Sequence, residues 1–183
     1  MPFPHPLFER PDPIWSSCSR KLVMVGQAPA KDGDGRAALT GRSLDVLFGS
    51  PLDLRSVARG CHRLNLVPRY PGRGSRGDLF PVAEARSNAL RLIPNLRGRV
   101  VLTWGARVAD ILNPRWRDTG WLLMNYMGGF QHYPFPHPSG LNHWWNDAHA
   151  AHSARALARR LLTEALVRVA SHRNAPQGLG AVA

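Results

Sequence analysis

A chain of 183 residues, 44% of them hydrophobic, is long enough to bury the core of one α/β domain. It carries 24 Lys and Arg against 12 Asp and Glu, a net charge of +12. That balance points to a polyanion as partner, with nucleic acid the leading candidate, because cations seated on phosphates release counterions. No segment reaches the ~20 consecutive apolar residues that a membrane-spanning helix needs. The Pro-rich, charged start lacks the apolar centre of a secretory signal, so a cytoplasmic protein with no membrane partner is expected. Only Lys21 and Lys31 are lysines, so the charge is nearly all arginine, whose planar fork suits phosphate oxygens and base faces. A GC-rich genome also enriches arginine, and the scarcity of acidic residues is what tips the reading toward nucleic acid. Cys18 and Cys61 stand far apart with no Cys-x-x-Cys partner. They support neither a disulfide framework nor a cysteine-built metal or iron–sulfur site, and read as free thiols.

Residues 1–20 hold five of the sixteen prolines and no period, and read as an irregular arm before a single domain over 21–170. Leu22-Val23-Met24-Val25 is a short apolar run broken by Gly26-Gln27-Ala28-Pro29-Ala30, the pattern of a buried central strand. Open α/β sheets bind their ligands beyond the carboxyl ends of such strands, so the following loop, with Gln27, Asp32 and Asp34, is expected to line a site. Gly41-Arg42-Ser43 opens a helix in which Leu44, Leu47 and Phe48 share a face. A second strand is expected between Cys61 and Val67. Asn65 lies near its carboxyl end, where a buried amide must find hydrogen-bond partners or cost stability.

From Pro68 to Asp78 the composition is that of a Pro/Gly/Arg loop. Arg69 and Arg73 can track a phosphate backbone there while Tyr70 offers a stacking face. Asp78 is placed to cap a helix that has Pro81 in its first turn and Val82, Ala85, Ala89 and Ile93 on its apolar side. A third strand, Val100 to Thr103, precedes a helix over Ala106 to Leu112 that Asn113-Pro114 stops. A fourth strand is expected within Trp121 to Met127, with Gly128-Gly129 opening the last loop. A long helix is expected from about Asn142 to Ala170, and residues 171–183 read as a flexible tail. Strands alternating with helices specify a mainly parallel sheet covered on both faces.

Phe135-Pro136-His137-Pro138-Ser139-Gly140-Leu141-Asn142 holds a histidine between two prolines, which fixes its backbone and aims its ring from the end of a strand. His-Pro-Ser-x-Leu-Asn, paired with Gly-x-Ala-Pro-Ala after the first strand, resembles the two signature motifs of the uracil-DNA glycosylase superfamily. Leu39-Thr40-Gly41-Arg42-Ser43, Leu64-Asn65-Leu66-Val67-Pro68 and Val100 to Ala106 are similar to the segments found between those motifs, in the same order, so the resemblance covers roughly residues 21 to 145.

The resemblance implies a three-layer α/β/α sandwich around a mainly parallel four-stranded sheet, with DNA gripped at the carboxyl ends of the strands. The target base must leave the stack before its glycosidic bond can be reached. By resemblance, Asn65 reads the uracil edge, and His137 donates to the base oxygen that turns negative as the C1′–N1 bond breaks. Leu141 fills the gap left by the base, Ser139 clasps a phosphate, and Arg42, Arg69 and Arg73 attend the DNA backbone. No metal or diffusible cofactor is implied, and a monomer is expected.

This chain departs from the family pattern at the first motif. Its best-known members carry Asp or Asn at the third position to hold the attacking water, and the iron–sulfur members carry Glu at the second; here Ala28 and Gln27 stand there. Gln27 can orient water but cannot serve as a base, whereas Asp32 or Asp34 can do both if the loop folds back. The residue aligned with the stacking Phe is Leu39, with Phe48 as a substitute. The absence of an obvious lysine nucleophile argues against a coupled lyase, Lys31 being the sole candidate in the loop. The leading expectation is a monofunctional glycosylase releasing uracil from single- and double-stranded DNA. The alternatives are a glycosylase for hypoxanthine or xanthine, or a DNA-binding module for damaged bases or abasic sites that has lost turnover.

Overall fold

A computed structural model describes residues 22–29, 31, 62–75, 77–138 and 142–173, with side chains as far as residue 164. The expected arm over 1–20, the helix after Gly41 and the end of the chain from 174 lie outside the described residues.

Five strands form the main sheet: β1 (Leu22–Gly26), β2 (His62–Asn65), β5 (Val100–Trp104), β6 (Asn125–Met127) and β7 (Phe130–Phe135), in the order β2-β1-β5-β7-β6. The pairs β1–β2, β1–β5 and β5–β7 are parallel, and β6–β7 is antiparallel. The sheet is thus mainly parallel, as expected, with one strand more than the expected four.

The extra strand corrects the sequence reading after Trp121. Gly128 and Gly129 do not open a loop; they are the two-residue turn of a hairpin, with φ of 57° and 89°. Positive φ at both positions is what a tight type I′ connection demands, and glycine adopts it without strain. The strand feeding the His-Pro segment is therefore β7, which no apolar run announces because Gln131 and Tyr133 alternate with His132 and Pro134.

Helices cover both faces. α1 (Val82–Leu92), the 3-10 turn Ile93–Leu96 and α2 (Ala106–Leu112) pack on one side. There Val23, Val25, Val101 and Phe130 meet Ala85, Ala89, Leu92, Leu96, Val108 and Leu112. The long helix α3 (Ala148–Arg173) packs on the other, its Ala154, Ala158, Leu161 and Leu162 against Leu22, Met24, Leu102, Trp104 and Phe135. Alternation along each strand divides its residues between the two cores. Burial of each large side chain contributes about 1.5–3 kcal/mol.

α2 has the bounds its sequence predicts, ending where Asn113 donates its backbone N–H to Ala109. Two other helix starts differ. Pro81, not Asp78, precedes α1, and Val82 is exposed while Leu92 joins the core. The last helix begins at Ala148, after a 3-10 turn at His143–Asn146, because the Asp147 carboxylate accepts from the N–H groups of His149 and Ala150 and caps it there. The Arg-rich stretch before α1 is not a bare loop: β3 (Arg73–Gly74) and β4 (Gly77–Asp78) pair as a small hairpin.

Candidate active site

The carboxyl ends of β2, β1, β5 and β7 bring the site together. Gly26 pairs with Asn65, Trp104 pairs with Phe135, and the Val25–Thr103 pair sits one residue below Gly26 and Trp104. Asn65, Gly26, Trp104 and Phe135 therefore form the last rung of the sheet and share a face, and Gly26 puts no side chain between Asn65 and Trp104. Pairing continues past the rung: Leu66 N–H donates to Gly26 O at 3.0 Å and Val67 N–H to Gln27 O at 2.9 Å. Asn88 of α1 adds a 2.8 Å bond from Nδ2 to Leu66 O. The backbone around Asn65 is thereby fixed from two sides.

Asn65 is 3% exposed, and its Nδ2 has no hydrogen-bond partner among the described residues. The partner that the sequence reading requires of a buried amide is not found among the described residues. A buried donor left unmet costs roughly 1–3 kcal/mol. Trp104, fully buried against Phe135 with ring centroids 4.7 Å apart, likewise leaves its indole Nε1 without a partner.

His137 follows β7, and its backbone is anchored at one atom. Its carbonyl oxygen accepts from Asn142 Nδ2 and from Trp145 Nε1, both at 2.9 Å. Below it, Gly105 N–H donates to Phe135 O at 2.8 Å. Gly105 has φ 95° and ψ 149°, and a Cβ built there would stand 3.4 Å from His137 Cβ. Glycine at this turn is thus what lets the β5–α2 corner close against the histidine. The residue is exposed, and desolvation by the protein around it lowers its pKa below the ordinary histidine value, while the negative charge of Asp78 opposes the shift. The shift favours the neutral imidazole, which offers one ring N–H as donor.

Asp78 was missed by the sequence reading, which placed it as a helix cap. In the fold it belongs to β4, accepts a 3.3 Å bond from Tyr70 Oη, and is the described carboxylate whose field reaches His137. The hairpin is drawn toward the first motif by Gln27, whose Nε2 lies 3.4 Å from Leu79 O. Gln27 thus meets protein backbone at the mouth of the site. No sequence pattern announces this, since the contact spans 52 residues.

The other expected residues divide. Asp32, Asp34, Leu39, Arg42, Phe48, Ser139 and Leu141 lie outside the described residues. Arg69 is engaged with Glu84 at 2.9 Å. Arg73 is exposed on β3. No cluster of ligating side chains suited to a metal occurs among the described residues.

Beneath the site, His132 is fully buried between Thr103 and Asn113. Its Nε2 is 2.8 Å from Thr103 Oγ1 and its Nδ1 3.4 Å from Asn113 Nδ2. Asn113 Oδ1 accepts from Arg115 N–H, which turns the amide NH2 toward the ring. Nδ1 is therefore the acceptor, and Nε2 donates to Thr103. Burial drives the pKa of His132 down to about 4.

A model of the uracil DNA glycosylase superfamily matches residues 15–160, most of the chain. The protein belongs to the uracil-DNA glycosylase superfamily. Membership makes a DNA glycosylase of base-excision repair the class of activity, with DNA as substrate. No curated protein matches the chain. No helix among the described residues is long and apolar enough to cross a membrane.

Proposed function

We propose that the chain is a monofunctional, cytoplasmic glycosylase that flips uracil out of single- or double-stranded DNA and hydrolyses its N-glycosidic bond. The observation that carries this reading is the buried, unmatched amide of Asn65 at the last rung of the sheet. An amide presents a donor and an acceptor side by side, the complement of the uracil O4 and N3–H edge. A ligand that meets the free Nδ2 recovers the stability its isolation costs.

His137 supports the chemistry. As the C1′–N1 bond breaks, negative charge gathers on the base O2, and a neutral imidazole N–H held by an anchored backbone stabilises it without reorganising. The sugar cation then takes up water. Gln27, Asp32 and Asp34 remain the candidates to hold that water, Leu39 or Phe48 to stack on the base, and Ser139, Leu141, Arg42 and Arg73 to grip the DNA.

A single-turnover assay on uracil-containing single and double strands, with hypoxanthine and xanthine duplexes alongside, tests the reading. Uracil is released, and His137→Ala lowers the rate about 100-fold or more, the scale for loss of one preorganised donor, while DNA affinity changes little. Release of a purine alone replaces uracil as the substrate. Binding with no release from any substrate replaces the enzyme with a damage-recognition module.

A further inference from the structure

A groove of about 520 Å³ runs between the β3–β4 hairpin and the helices α1 and α2. That volume lies within the ~300–1,000 Å³ usual for small-ligand sites. One wall is apolar and open to solvent, with Leu79 50% and Val82 44% exposed. Arg86 of α1 and Arg107 of α2 also line the groove, and neither has an acidic partner among the described residues. Of the two acids in the lining, Asp110 is neutralised by Arg117, from which it accepts two bonds at 2.8 and 2.7 Å, with a third from Trp116 Nε1 at 2.9 Å. Asp78 accepts only from the neutral Tyr70 hydroxyl and keeps its charge. Arg86 and Arg107 against that one carboxylate leave the groove net positive, beside an apolar shelf.

The groove also adjoins the site. Arg107 lies two residues past Gly105, whose backbone packs on the His137 side chain, and Asp78 both lines the groove and acts on His137. We propose that this groove is a nucleotide subsite, in which a nucleotide of the same strand, beyond those directly next to the flipped one, rests on Leu79 and Val82 with its phosphate held by Arg86 and Arg107. The pairing of a cation pair with an apolar shelf matches a nucleotide, which is an anion joined to a flat apolar ring. The proposal rests on the DNA-glycosylase reading and extends it to a strand that the enzyme grips beyond the base pocket.

Anisotropy of labelled single strands carrying a tetrahydrofuran abasic-site analogue tests it, using a trimer and an eleven-mer, with base release from matched uracil strands read in parallel. In Arg86→Ala/Arg107→Ala the eleven-mer binds at least tenfold more weakly and its salt slope flattens, whereas the trimer binds nearly as before. Arg86→Lys/Arg107→Lys, which keeps the charge, recovers most of the affinity. Both pairs sit at exposed positions, and an unchanged thermal melt shows that they fold. Equal losses for the two lengths, or none, overturn the subsite even where the protein releases base. A length-dependent loss in a protein that releases no base keeps the subsite and overturns the glycosylase.

Discussion

Two buried polar residues carry opposite meanings in this fold. His132 is satisfied on both ring nitrogens and is a structural group, whereas Asn65 is left with an open donor. Removing an unmatched buried donor also removes the cost of keeping it from water. Asn65→Leu is therefore expected to hold or raise the melting temperature while cutting uracil release at least 100-fold, as followed by calorimetry and single-turnover kinetics. A drop in melting temperature matching the drop in activity would show that Asn65 serves the fold.

His132 gives the pH signature. With its folded pKa near 4 and an unfolded value near 6.5, the unfolded chain binds the extra proton between those values. Stability is full above about pH 6.5 and falls as the pH drops toward 4, by at most roughly 3 kcal/mol from this one group. Urea melts at pH 7 and pH 5 measure it, and His132→Gln is expected to shrink the dependence, leaving the share of His62, whose pKa burial also pushes down to about 4. Asn65 and His137 could be found from sequence because strand ends and flanking prolines mark them. The Thr103–His132–Asn113 network and the action of Asp78 on His137 could not, since each joins residues far apart along the chain.

At the scale of elements, apolar runs announced β1 and β5, Leu64-Asn65-Leu66-Val67 pointed to β2, and Asn113-Pro114 announced the end of α2. The two hairpins escaped because their cues are local. One rests on two positive-φ glycines, and the other on strands of two residues each within Arg- and Gly-rich sequence. Gly105 is the joint between elements that matters most for the site. Its φ and ψ lie near a region almost reserved to glycine, and its missing side chain faces His137. Gly105→Ala is expected to cost about 1–3 kcal/mol in backbone strain. By displacing the histidine it should also lower single-turnover release in the fraction that remains folded. Melting and kinetics on the same sample separate the two effects.

Across the whole molecule, 24 Lys and Arg against 12 Asp and Glu leave a net charge of +12, a sum in which the acids of pairs such as Arg69–Glu84 and Arg117–Asp110 are already counted. The pairs therefore leave the net charge as it is and decide which arginines it resides on. For about four phosphate contacts, affinity for uracil DNA should fall roughly 100-fold between 50 and 200 mM salt. Anisotropy titrations at graded salt read the slope directly, and a flat line would remove DNA as the partner. Composition made this expectation available at the outset, but which arginines stay free is decided only by the fold.

The strand order has a further consequence. Asn65 lies on β2, an edge of the sheet, and His137 follows β7, three strand spacings or about 14 Å away, with β1 and β5 between them. In the proposed reaction, choice of base and departure of the base are therefore assigned to separate parts of the scaffold. Mutations at the edge can retarget the protein to another lesion while the bond-breaking apparatus stays intact, so descendants of this fold can diversify in what they remove without having to reinvent how they remove it.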